Sequence, residues 1–304
     1  MTTQNYTRDE LCDIFTHPAD KKALEALKKI PFFDKVCSKI IAVLSEPFTK
    51  IYDMSAKVRI TERQLPELHL MLTDICEKLK IDTPDFYLEL NRTPNAYTYG
   101  DKRATVTVTS GLLECLSRDE LYAVIAHECG HIATKHVLYT TMARLLLFGG
   151  AAGVDMILGN NFITAAVLAP IRLALAHWHR CSELSADRAA AVCCGNTTDV
   201  VCAMTKLAGG AAGGAYQVDP LLFAEQANDY KELLDDSKLN KLIEFSLIYN
   251  NSHPMPAVRA NEILTFGTTD TFKPFITVGK KKEDKTDTAP KKKRGFFGLF
   301  GGKK

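Results

Sequence analysis

His127-Glu128-Cys129-Gly130-His131 is the stretch from which the rest of this chain can be read. It spells H-E-x-x-H, and its surroundings put it on a helix. Upstream, Ser117-Arg118-Asp119-Glu120 has the form of a capping box, and Leu121, Val124, Ile125 and Ile132 supply a stripe to bury. Histidines four residues apart on a helix share one face, where two imidazoles can hold one tetrahedral zinc ion. Glu128 is rotated to the side. There it can reach a zinc-bound water without ligating the metal, as a general base must. Taken alone, the string also fits a helix with two hydrogen-bonded structural histidines.

A catalytic zinc wants a third protein ligand and one open position. The glycine and histidine of a metzincin extension are absent, because Thr134 and Val137 stand in their places. His136 falls about half a turn of the helix away from His127, so it reads as a structural or surface histidine. The better candidate is Glu183, in Glu183-Leu184-Ser185-Ala186-Asp187, within a helical pattern over residues 178–193. Glu183 and Asp187 share a face. The first can ligate zinc while the second holds a ligating imidazole by its other nitrogen. An ordinary acidic helix face is the competing reading. His179 lies on the same face as Glu183 and is a minor rival ligand. His177, His17 and His69 have no partner motif.

Outward from this centre, residues 86–90, 96–99 and 104–109 read as strands, the last a Val/Thr alternation. Before them, helices are expected near 21–30, 35–44 and 65–79; after Gly111 the pattern is almost wholly helical to about 265. The fold class is α+β and mostly helical, with a small sheet beside the H-E-x-x-H helix. The expected organisation is an N-terminal helical segment over 1–60, a main domain over 61–270, and a disordered basic tail over 271–304. Residues 145–154 and 162–171 are apolar runs too short to span a bilayer, which takes about 18 residues. They read as a helical hairpin, either buried in the core or exposed as a lid or a membrane-touching hairpin. The glycine-rich run around Gly209, Gly210, Gly213 and Gly214 lacks the strand and the Lys-Ser/Thr of a phosphate loop.

The chain has 304 residues, 46% hydrophobic and 24% charged, which excludes disorder throughout and fibrous repeats. Residues 280–304 carry ten Lys/Arg against three Asp/Glu, so the body before them is mildly acidic, and no nucleic-acid partner is expected. Nine scattered cysteines without C-x-x-C, and no apolar leader in the first fifteen residues, predict reduced thiols in the cytoplasm. The tail runs from a charged linker into Lys291-Lys292-Lys293-Arg294 and Phe296, Phe297 and Phe300. Bases beside aromatics suit reversible attachment to an anionic membrane surface, while the same bases also fit an import signal or a merely solubilising end.

Several ordered motifs together resemble the HtpX-type and CAAX-prenyl-protease-type zinc metallopeptidases. They are Pro94-Asn95-Ala96-Tyr97 with Gly100, the Val106/Val108 strand, Gly111-Leu112-Leu113, Glu120-Leu121, Ala126 through His131, the Glu183/Ala186/Asp187 motif, and His253-Pro254 followed by Arg259. The resemblance spans about 61–265 and implies a gluzincin-like domain. It also implies one zinc per chain on His127, His131 and Glu183, with Glu128 as base. It places His253 near the zinc, as oxyanion stabiliser or as a ligand that keeps the enzyme latent. Arg259 would hold Asp187 or a substrate carboxylate. Members of that family carry membrane-spanning helices, and this chain has none, so it resembles soluble or peripheral members and prenylated substrates are not expected. The strand through Thr105, Val106, Thr107 and Val108 is expected at the sheet edge, hydrogen-bonding an extended substrate, with an internal strand as the alternative. The function that follows is a zinc-dependent endopeptidase acting on unfolded polypeptides. A catalytically silent zinc-fold scaffold and an adaptor working through the tail are the rivals.

Overall fold

The computed structural model describes residues 3–30, 33–40, 46–100, 103–144, 146, 162–209, 218–237, 239–240, 253 and 255–277. The chain opens with helices α1 (Arg8–Phe15), α2 (Pro18–Lys28), α3 (Phe33–Ile40) and α4 (Glu46–Ala56). Strand β1 (Val58–Arg59) and α5 (Pro66–Leu79) lead to β2 (Asp85–Glu89), β3 (Ala96–Tyr99) and β4 (Thr105–Thr109). Helices α6 (Ser110–Cys115), α7 (Arg118–Ala133), α8 (Val137–Ala143), α9 (Phe162–Cys194), α10 (Thr198–Gly209), α11 (Pro220–Asp235) and α12 (Pro256–Gly267) follow.

The sheet order is β1-β2-β4-β3. β2 and β4 are parallel, while β1 pairs β2 and β3 pairs β4 antiparallel. This overturns the edge-strand reading of Thr105, Val106, Thr107 and Val108. β4 has a neighbour on both sides, so its backbone groups are committed to the ladder and none is left for a substrate. All five of its residues are buried, as an internal strand covered on both faces requires. The chain leaves β2, passes beyond the place next to it to form β3, and returns into the gap. The Val/Thr alternation carries no record of that detour.

The free edge at the metal-helix side belongs to β3. Thr109 N donates to Asn95 O, and Tyr97 and Tyr99 lie opposite Thr107 and Thr105. The alternation of an antiparallel ladder then turns the backbone groups of Ala96 and Thr98 away from β4.

Helix α7 lies across this sheet and against α9. They meet closely at Gly130, where a Cβ would stand 2.9 Å from Ala189 Cβ and 3.1 Å from Ala186 Cα. The main core gathers Leu72 and Ile75 of α5, Val106 and Val108 of β4, Ile125 and Cys129 of α7, and Ala189 and Ala190 of α9. Leu11 and Phe15 of α1 are fully buried in the same core. A second cluster joins α2, α3, α8 and α9 around Leu27, Tyr139 and Trp178.

The helical pattern recognised over 178–193 is part of a longer helix. α9 runs 33 residues, through Pro170, a span of about 50 Å. It therefore absorbs the second arm of the expected hairpin. The rest of that hairpin (145 and 147–161), most of the glycine-rich run (210–217) and the tail beyond 277 lie outside the described residues. Residues 271–277, expected in the disordered tail, instead bury Phe272 and Phe275 in the main core. Among the described residues no helix is long and apolar enough to cross a membrane.

Candidate metal centre

Four elements converge on the H-E-x-x-H face of α7. The capping box forms as expected: Ser117 Oγ accepts from Glu120 N, and Glu120 reaches back to Ser117 N at 2.7 Å. α7 thus starts in register, and His127, Glu128 and His131 are all buried on it. α9 crosses behind and contributes Glu183 and Asp187, both fully enclosed. α12 brings Arg259 in its first turn, His253 lies just before that helix, and β3 supplies Thr98 from the sheet.

His127 Nδ1 lies 2.8 Å from Asp187 Oδ1, which fixes the proton on that nitrogen and turns Nε2 toward Glu183. His127 Nε2 is 3.5 Å from Glu183 Oε2, and His131 Nε2 is 3.3 Å from Glu183 Oε1. Among the described residues His127 Nε2 and Glu183 Oε1 are buried without a hydrogen-bond partner. Donors about 2.0–2.1 Å from one tetrahedral ion stand roughly 3.4 Å apart, and each histidine–Glu183 distance is close to that, although the two histidines meet different oxygens of the carboxylate. Among the described residues the set whose donor atoms all lie within 4.8 Å of one another is His127, Glu183 and His253, so His131 of the expected ligand set stands beside this cluster and not in it.

Arg259 forks onto Asp187, Nε to Oδ2 at 2.7 Å and NH2 to Oδ1 at 2.6 Å, while NH1 lies 2.9 Å from Glu183 Oε2. Both acids are thus gripped by one buried guanidinium. His253 faces acceptors with both nitrogens: Nδ1 is 2.8 Å from Glu183 Oε2, and Nε2 is 3.3 Å from Ala96 O. Glu128 accepts from Thr98 Oγ1 at 2.8 Å and lies 4.0 Å from His253 Nε2.

The electrostatics keep the donors ready for a cation. Burial pushes the Glu183 carboxyl up, but His253 and Arg259 outweigh it and hold it well below the usual carboxylate range. Asp187 is lowered in the same way, with Arg259 overcoming burial. Glu128 is also lowered, its burial offset by His127 and His253. Burial pulls the His127 imidazole down, yet Asp187 and Glu183 push it up to about 10. The proton they would hold on Nε2 is the one a metal ion displaces.

The other histidines sort as follows. His179 is buried with Nδ1 3.9 Å from Glu183 Oε1, behind the centre. His177 is exposed beside Arg180, His17 caps α2, and His69 stands 3.9 Å from Glu62. His136 is not on the α7 helix at all. Lys135 takes a left-handed turn at φ 60°, and His136 is buried, 3.1 Å from Asp20 of α2. Ser185 Oγ donates to the same Asp20 oxygen. Asp20, Ser185 and Thr98 escaped the sequence reading. Only Thr98 had a signal available, since strand alternation puts it on the face of Ala96.

A cavity of about 500 Å³ opens from the centre between the β2–β3 loop, α7, α10 and α12. His127, Glu128 and Arg259 line its polar wall, and Val124, Val200 and Met204 its apolar one.

Comparison with known proteins agrees with this geometry. The family model described as Peptidase family M48 matches residues 62–266. Plastoglobule-localized metallopeptidase 48, chloroplastic, of Arabidopsis thaliana is 31% identical over 277 residues, covering 90% of this chain and 78% of that protein. The HtpX protease homologues of Trichormus variabilis and Thermococcus kodakarensis are 32% and 33% identical over 170 and 172 residues, 49% of this chain in each case. The aligned part spans 59% and 58% of their respective lengths.

Proposed function

The chain belongs to peptidase family M48, a family of metallopeptidases, and from that premise we propose that it is a zinc-dependent endopeptidase that cuts extended segments of unfolded polypeptides. The observation that supports the reading is that His127 Nε2 and His131 Nε2 both close on the Glu183 carboxylate, at 3.5 and 3.3 Å from its two oxygens, with Glu128 beside His127 on the same helix. A zinc ion held by those three residues would polarise the scissile carbonyl and acidify a water.

The chain's own groups have these tasks. Glu128 takes the proton of the attacking water and delivers it to the leaving amine, and Thr98 Oγ1 holds its carboxylate in place. His253 Nε2, between Glu128 and Ala96 O, faces the place where negative charge develops on the carbonyl oxygen. Asp187 sets the tautomer and angle of His127. Arg259 keeps Asp187 and Glu183 ionised and oriented. The substrate enters along β3, where the backbone groups of Ala96 and Thr98 turn away from β4. Both residues are buried and Ala96 O already lies 3.3 Å from His253 Nε2, so an added strand displaces that contact to bind with little sequence preference. An unfolded chain can satisfy that edge, whereas a folded surface cannot.

Casein cleavage by wild type and Glu128→Gln at matched zinc content tests the reading. Cutting by wild type alone, with zinc retained in both, is the expected result. Equal cutting by Glu128→Gln would remove Glu128 from the chemistry. No cutting by either zinc-loaded protein would favour a silent scaffold.

A further inference from the structure

The cavity occupies one end of the proposed substrate path, beside Asn95 and Ala96. At the other end of β3 stands Arg144, the residue that closes α8. Gly100 N, just past β3, donates to Thr141 Oγ1 at 3.1 Å, which ties α8 to that end of the strand. Three residues further on, the Arg144 guanidinium lies over the Tyr97 ring, 5.2 Å from its centroid. Tyr97 is in the middle of the same strand whose Ala96 and Thr98 backbone groups face outward.

Arg144 differs from its cationic neighbours. Arg259 is committed to Asp187 and Glu183, and Lys57 lies 2.7 Å from Asp53. Arg144 Nε is shut off from solvent and has no acceptor among the described residues, although other atoms of the residue stay partly exposed. Among the described residues no carboxylate forms an ion pair with it. The acids that act on it most through space are Glu128 and Glu183, both across the strand path in the metal centre. The Nη atoms of Arg144 are not among the buried, unpartnered ones, so the open edge of the guanidinium can take an acceptor from outside the fold. The Tyr97 ring 5.2 Å from it offers a cation–π contact that holds the guanidinium near the strand.

We propose that Arg144 is a specificity-determining residue that binds a carboxylate of the polypeptide substrate, on the opposite side of the scissile bond from the apolar cavity. The inference rests on the peptidase reading of the centre and narrows its substrate class. A preferred peptide sets an apolar side chain in the cavity at the Asn95–Ala96 end and an acid at the Tyr97–Gly100 end. The acid is either an Asp or Glu side chain or the free C-terminus of the substrate, and the guanidinium recognises both by the same bidentate contact.

Short peptides with one central leucine, in which Glu replaces Gln at each other position in turn, are the probes. Each is made with a free and an amidated C-terminus. We would measure kcat/KM with zinc-loaded wild type, and binding to Glu128→Gln by fluorescence anisotropy. Wild type should favour Glu over Gln by about tenfold at one position on one side of the cut, or favour the free over the amidated terminus by as much. Arg144→Gln should bring that ratio to about one, Arg144→Glu should invert it, and Arg144→Lys should keep part of it. Cleavage of every peptide at equal rates, or a preference unchanged in Arg144→Gln, overturns the proposal and leaves the peptidase reading intact. If wild type cuts none of the peptides, the peptidase reading fails separately, and the binding ratios still decide the role of Arg144. Should the neutral variant not fold, the wild-type preference must shrink from low to high salt, and a salt-independent preference overturns the proposal.

Discussion

Replacing Arg259 with methionine keeps the volume of the side chain and removes its charge. In the folded protein this guanidinium makes two bonds to Asp187, at 2.7 and 2.6 Å, and lies 2.9 Å from Glu183, all fully enclosed. Removing one partner of a buried ion pair costs about 3–5 kcal/mol, because the remaining charge is left uncompensated. Arg259 serves two carboxylates, so without metal the loss should lie near the upper figure, about 5 kcal/mol. When zinc is bound, Glu183 has a second cation and only Asp187 is orphaned. The loss then falls to about 3 kcal/mol. At about 2–4 °C per kcal/mol for a chain of this size, Arg259→Met should lower Tm by about 10–20 °C in chelator and by about 6–12 °C with saturating zinc. Scanning calorimetry of both proteins in both conditions measures the four values. Arg259→Lys, which keeps the charge but cannot fork onto two acids, should fall between them. A Tm for Arg259→Met within about 2 °C of wild type in chelator, or a penalty that zinc does not change, would refute the argument that Arg259 balances both acids.

Gly130→Ala should destabilise by about 1–3 kcal/mol, since its Cβ would stand 2.9 Å from Ala189 Cβ and force α7 away from α9. His131 and Glu183 sit on those two helices, so zinc affinity should fall with the unfolding midpoint; unchanged values for both would dismiss the close-contact account. Asp20→Asn should cost about 1–3 kcal/mol at pH 7 by disrupting the buried bonds to His136 and Ser185. Burial pushes the Asp20 carboxyl up, but His136 and Ser185 bring it below its ordinary value of 3.8. A depressed carboxylate contributes stability above its unfolded pKa and loses it as pH falls through the lower folded one. The gap to Asp20→Asn should therefore close in acid, below the ordinary value, and denaturant midpoints at neutral and acidic pH would reveal a gap that persists.

The parts of the centre that could be read from sequence are those whose geometry is local. His127 and His131, and likewise Glu183 and Asp187, are one helical turn apart, and a helix fixes their relation wherever it lies. What could not be read depends on how distant elements meet. β4 became internal because β3 formed beyond it and left a gap, which no period-two pattern encodes. Asp20 reaches His136 and Ser185 only because α2 packs on α9. The long reach of α9 through Pro170 is another case, since the local rule to stop at proline yields to the packing of the whole helix. Thr98 meets Glu128 because β3 lies against α7, and its own sequence neighbours say nothing of a carboxylate.

The charges of the centre link its chemistry to its stability. Glu128, Glu183 and Asp187 are all enclosed, and Arg259 pairs with only two of them. Glu128 has Thr98 as a hydrogen-bond donor and His253 at 4.0 Å, but no described cation closer. Three enclosed carboxylates against one fully committed guanidinium leave negative charge over, which without metal is met in part by a proton on His127 and which a divalent ion on His127, His131 and Glu183 would offset in its place. A cation that binds the folded chain and not the unfolded one stabilises the fold by mass action. The same excess that would make Glu183 a strong ligand would therefore make a bound metal a structural element. Arg144 stands outside that balance, near enough to feel Glu128 and Glu183 but paired with neither. With the dication in place its charge is surplus, so an acidic substrate completes the balance where the metal alone overshoots it.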